Sequence, residues 1–122
     1  MIKFNKISPV IYTNDIENTI NFYVNLLSFN CTDFDKDIGW ARVQVDNIEL
    51  MISLPNAHLE FQKPIFTGSF YFNLDDVDLF WQCINEKVTV CYPLENFDYG
   101  MREFGIFDNN GYLLQFGQEV VN

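Results

Sequence analysis

A chain of 122 residues with 48% hydrophobic, 17% aromatic and 20% charged side chains has the size and composition of one folding unit with a real core, which excludes an intrinsically disordered segment. Seven basic residues against 17 acidic ones leave a net charge of −10, a field that repels phosphate backbones and anionic membranes and concentrates cations. No apolar run approaches the length of a membrane span or a signal sequence, and Cys31, Cys83 and Cys91 form neither a CxxC pair nor an even set, so a reduced, cytoplasmic protein without a disulfide or zinc framework is expected.

Taken in chain order, residues 7–13 read as a strand. Asn14 follows as a candidate helix cap with Glu17 three residues on, and Ile16, Ile20, Tyr23 and Leu27 form an apolar stripe at helical spacing. Strand-like stretches then run over 31–34, 40–45 and 48–54, the last two separated by Asp46-Asn47, a pair that tolerates positive φ. Pro55 and Pro64 bracket a connecting loop over 55–66.

About sixty residues after the first, the pattern returns. A strand over 69–74 leads to Asp75 as a cap with Asp78 at the third position. Val77, Trp81 and Ile84 keep helical register, and strands follow over 88–92, 101–107 and 112–118, with a turn at 108–111. Each half is therefore β-α-β-β-β: module one over 7–54, a linker over 55–66 and module two over 67–118, together making a single α+β domain. A single helix covers one face of each sheet and leaves the other open. Alternation assigns Ile48, Leu50, Ile52 and Leu54, and likewise Phe70, Phe72 and Leu74, to the helix side. Ser69, Tyr71 and Asn73 are left on the concave side.

The paired modules, with IYTNDIENTINFYVNLLSF and YGMREFGIFDNNGYLLQFGQE, resemble the vicinal-oxygen-chelate superfamily of glyoxalases, extradiol dioxygenases, fosfomycin-resistance enzymes and bleomycin-resistance proteins. The aromatic-Gly-x-Arg-Glu-Phe run resembles the bleomycin-resistance branch in particular. The resemblance implies curved mixed sheets around a cleft. Its enzymes hold a metal at positions that match Ser8, Met51, Ser69 and Gln115, of which only the amide of Gln115 is an ordinary hard-metal ligand, so neither metal nor cofactor is expected. Glu49 could add one displaced carboxylate.

From the same resemblance, the expected activity is metal-independent sequestration of a hydrophobic or aromatic cationic compound, such as an antibiotic, in a cleft between two identical subunits. Pro9 matches the point where an N-terminal arm, residues 1–8, crosses to the partner subunit. The cleft positions match Phe34, the Ile38–Trp40 segment and Tyr99, and Tyr71, Met101 and Gln115 complete the expected site. Asp33 and Asp35 interleave acids with the rings of Phe34 and Trp40, as a cationic aromatic ligand would require. Packing of Phe34 and Trp40 in a subunit interface is the plain alternative.

A second possibility is a divergent enzyme of the superfamily, a lyase, thiol transferase or dioxygenase, using Glu49, Tyr12, Tyr71 or Glu103 as acid or base. A third is a module that docks a protein on the apolar strip of its cleft. His58, the single histidine, lies in the linker with no nucleophile nearby, and Cys83 reads as a packed thiol beside Trp81.

Overall fold

The computed structural model describes residues 1–121. The chain divides into two compact units, one ending at Gln62 and the other starting at Lys63, so the boundary falls within the expected linker.

In the first unit β1 (Val10–Tyr12), β2 (Asn30–Asp35), β3 (Trp40–Val45) and β4 (Ile48–Ser53) form a sheet in the order β1-β4-β3-β2. β1 runs parallel to β4 and the other pairs are antiparallel. The second unit repeats this with β5 (Phe70–Asn73), β6 (Thr89–Asn96), β7 (Met101–Phe107) and β8 (Leu113–Glu119), ordered β5-β8-β7-β6. These are the tandem β-α-β-β-β modules that the sequence predicts, and β3 and β7 have the predicted ends.

Helix α1 (Ile16–Asn21) is capped by Asp15, whose extended backbone and carboxylate receive the amide of Asn18 at 3.1 Å. Helix α2 (Val77–Ile84) is capped in the same way by Asp76, which receives the amide of Leu79 at 3.1 Å. The expected caps, Asn14 and Asp75, are each one residue early. Asn14 instead donates its side-chain amide to the Gln62 carbonyl at 3.3 Å. The identical offset in both modules shows how closely the second copies the first.

After α1 the chain widens into a π-helical turn, Phe22–Leu26, which carries Tyr23 fully into the core, edge-on to Phe29 at 5.6 Å. Thr19 rather than Ile20 takes the buried place on this stripe. Its hydroxyl donates to Thr13 Oγ1 at 2.8 Å, so the buried oxygen is satisfied.

Each unit buries its own core between helix and sheet. In the first, Ile11, Tyr23, Ala41, Val43, Leu50 and Ile52 are buried. In the second, Phe116 stacks on Phe72 at 5.0 Å and on Phe104 at 5.2 Å, with Phe80 edge-on at 5.0 Å. Two placements differ from expectation. Leu54 lies past the end of β4 and is exposed, leaning over Gly39 (φ +76°), and Cys83 is exposed like the other two cysteines because it sits on the outer side of α2. No helix is long and apolar enough to cross a membrane among the described residues.

Candidate functional site

Residues paired across neighbouring strands face the same side of a sheet, so the register decides what the open faces carry. In the first unit the pairs Arg42–Met51 and Gln44–Glu49 point away from the buried side that holds Ala41, Val43, Leu50 and Ile52. Glu49 is the hub of this face. It receives Ser8 Oγ at 2.5 Å, Lys6 Nζ at 3.1 Å and Gln44 Nε2 at 3.0 Å, and Arg42 Nε lies 3.2 Å away as an ion pair. The Ser8 hydroxyl, then the Lys6 ammonium, hold its carboxyl at about 2, well below the usual range.

Arg42 also donates to Asp33 at 2.6 Å and lies over the ring of Trp40 at 5.1 Å, so Asp33 and Trp40 share this face. Asp35 pairs with Trp40, but its carboxylate receives the amides of Asp37 and Ile38 at 3.1 Å each and shapes the turn that leaves Ile38 exposed. Phe34 does not join them. It pairs with Ala41, which is wholly buried, and so points to the helix side, away from Trp40.

The second unit gathers a different set. On β7 and β8 the open face carries the pairs Met101–Glu119, Glu103–Gly117, Gly105–Gln115 and Phe107–Leu113, while Phe104, Ile106, Leu114 and Phe116 are buried beneath the helix. Glu103 faces outward yet is only 1% exposed, because tyrosines cover it. Tyr71 Oη donates to Oε1 at 2.9 Å and Tyr92 Oη donates to Oε2 in a short bond.

Burial first, then the Glu103 carboxylate, pushes the Tyr71 and Tyr92 phenols far above their ordinary range. Tyr99, on the hairpin after β6, is pushed up to about 12, with the Glu103 carboxylate the leading cause. Its ring stacks on Phe97 at 5.5 Å. Gln115 extends the network by donating to Tyr92 Oη at 3.0 Å and accepting a short bond from Ser69 Oγ. Four expected residues, Tyr71, Tyr99, Met101 and Gln115, thus share one face.

Tyr92 and Phe97 lie outside the ligand site that the sequence predicts, where Glu103 figures only as a possible acid or base. Glycines supply the missing signal. A Cβ at Gly105 would come within 2.3 Å of the Tyr92 ring, and one at Gly117 would overlap the Tyr71 hydroxyl. Neither has positive φ, so side-chain space rather than backbone conformation requires glycine there.

The donors do not fit the divalent ion held by the enzymes of this fold. The Ser8 and Ser69 hydroxyls are committed to Glu49 and Gln115, Met51 offers a thioether, and both carboxylates already receive several hydrogen bonds. No group of three or more His, Cys, Asp or Glu side chains able to hold a metal comes together among the described residues.

This fold and these faces define a paired-module protein of the glyoxalase type. Residues 3–116 match the model of the Glyoxalase/Bleomycin resistance protein/Dioxygenase superfamily, and the chain belongs to that superfamily. Among solved structures it is similar to a superfamily member from Sphaerobacter thermophilus DSM 20745, with TM-score 0.81, 22% identity, and coverage of 98% of this chain and 100% of that one. It is also similar to TioX from Micromonospora sp. ML1 (TM-score 0.79, 15% identity, 96% and 100% covered). A third likeness is to lactoylglutathione lyase from Agrobacterium tumefaciens (TM-score 0.74, 16% identity, 93% and 92% covered). At these identities the likeness is one of fold. Comparison with curated protein sequences finds no match.

Proposed function

We propose that the chain is a metal-independent binding protein of the bleomycin-resistance type that sequesters a hydrophobic or aromatic organic cation, such as an antibiotic, at Glu103. One observation carries this reading. A carboxylate only 1% exposed is held by the neutral hydroxyls of Tyr71 and Tyr92, with no ion pair to Lys, Arg or His among the described residues. A buried charge so placed is costly, and a cationic ligand lying on the surrounding rings would offset that cost. The net charge of −10 favours approach of the same ligands.

The exposed apolar residues Ile2, Phe4 and Ile7 are, in this reading, the arm through which two copies associate. Replacing all three by serine is expected to turn dimers into monomers in sedimentation velocity. Monomers before the change, or unaltered dimers after it, would remove the arm from the proposal.

The enzyme reading is favoured by the likeness to lactoylglutathione lyase. It must work with bases that are already engaged: Glu49 is held at about 2 by Ser8 and Lys6, and Glu103 receives two phenols. Calorimetric titration of metal-stripped protein with bleomycin and with small aromatic cations separates the two. Saturable, salt-sensitive heat that Glu103→Gln abolishes supports binding. No heat from any cation, with turnover of thiol adducts, epoxides or catechols on adding zinc or manganese, would establish the enzyme instead.

A further inference from the structure

Beside the Glu103 cluster the same open face continues into an apolar groove of about 270 Å³. Its walls include Phe107, Leu113 and Cys91 from the strands and Pro64, Ile65 and Phe66 from the segment before β5. Phe107 and Leu113 are a cross-strand pair, and the next pair along the open face is Gly105–Gln115, followed by Glu103–Gly117. Groove and carboxylate are therefore successive stations on one pair of strands, with the Tyr92 ring lying over Gly105 between them.

We propose that this groove is a second subsite for the apolar tail of the ligand, which makes the ligand an elongated amphipathic cation rather than a compact one; this rests on the cation reading above. Two features favour a tail over a polar group. The groove walls supplied by Ile65 and Phe66 are 80% and 71% exposed, an apolar surface that gains by being covered. The polar side chain nearest the groove along β8, Gln115, is already engaged with Ser69 and Tyr92. The spacing sets a length: four residues of strand separate Glu103 from Phe107, about 14 Å. A charged end at Glu103 and an apolar end at Phe107 are spanned by a ligand of that length whose middle lies flat on Tyr92.

The test uses benzyltrimethylammonium and its longer phenylalkyl homologues as probes, with Cys91 as a reporter in protein carrying Cys31→Ser and Cys83→Ser. Affinity is expected to rise about fourfold for each methylene that enters the groove and then to level off near the strand-set length. The long homologue is expected to slow alkylation of Cys91 by iodoacetamide, and the short one, at saturation, to leave it unchanged. Ile65→Ser with Phe66→Ser, both at exposed positions, should remove the gain with length while keeping the affinity of the short probe.

Affinity independent of length, or alkylation unaffected by the bound long homologue, would overturn the tail subsite and leave the cation reading intact. If no cation binds, both fall. A neutral phenylalkanol that protects Cys91 as well as the cation does would uphold the apolar subsite and overturn the cationic end.

Discussion

The ring of Tyr92 lies against the backbone of Gly105, so closely that a Cβ at that glycine would stand 2.3 Å from Cε1. The glycine thus decides where the phenol points, and the phenol donates to Glu103. Gly105→Ala is expected to force the ring off the strand and cost about 1–3 kcal/mol, the usual penalty of overpacking. Urea denaturation checks the stability, and the ultraviolet titration of tyrosine checks the broken contact. A variant as stable as the parent, with unchanged titration, would show that Tyr92 does not lie there.

Glu103→Gln removes a charge that raises all three phenols. The Tyr99 phenol is pushed from 10.0 up to about 12, and Tyr71 and Tyr92 are raised further. Groups whose folded pKa is raised contribute stability that is complete below pH 10 and lost as pH rises through about 12. The Gln variant should ionise its tyrosines at lower pH, and its alkaline loss of stability should shrink. Denaturation midpoints across alkaline pH give the comparison, and superimposable profiles would detach Glu103 from the tyrosines.

Glu49 behaves in the opposite sense. Its carboxyl is lowered from 4.5 to about 2, so its contribution is present above pH 4.5 and lost as pH falls through about 2. Because the Ser8 hydroxyl is the leading cause and Lys6 the next, Ser8→Ala and Lys6→Met should each raise the Glu49 value. Carboxyl chemical shifts followed by NMR through acid pH would report it. No movement in either variant would mean that these side chains do not hold Glu49 in solution.

The helix caps offer a contrast within each module. Asp15→Ala and Asp76→Ala each remove a carboxylate that accepts an amide in the first turn and should cost about 1 kcal/mol. Asn14→Ala and Asp75→Ala, one residue earlier, should stay within about 0.5 kcal/mol of the parent. Thermal denaturation of the four variants decides it, and equal losses at neighbouring positions would contradict the assigned caps.

Much of the architecture is legible in local pattern. Alternation marks β3 and β7 to their ends, and helical spacing finds α1 and α2, because each signal is written within one element. Both caps are read one residue early, since Asn14 and Asp75 are as suitable by residue type as Asp15 and Asp76. What separates them is which carboxylate accepts the first-turn amide, Asp15 from Asn18 and Asp76 from Leu79. The same locality places Tyr71 on the open face, where the structure has it.

What no single element records is which side chains meet. Alternation holds within a strand but is not carried through a turn, so the sequence allows Phe34 and Trp40 a common face. The register, pairing Phe34 with Ala41 and Asp35 with Trp40, puts them on opposite ones. The convergence of Tyr71 and Tyr92 on Glu103 likewise depends on strands distant in sequence coming into register, and on two glycines that make room for rings from neighbouring strands. By itself the sequence determined the duplicated modules, the parity of each strand and the acidic charge, all properties of residues near one another in the chain. The tertiary structure alone decided the Glu103 cluster, because a buried carboxylate held by phenols from two other strands exists only once those strands are packed.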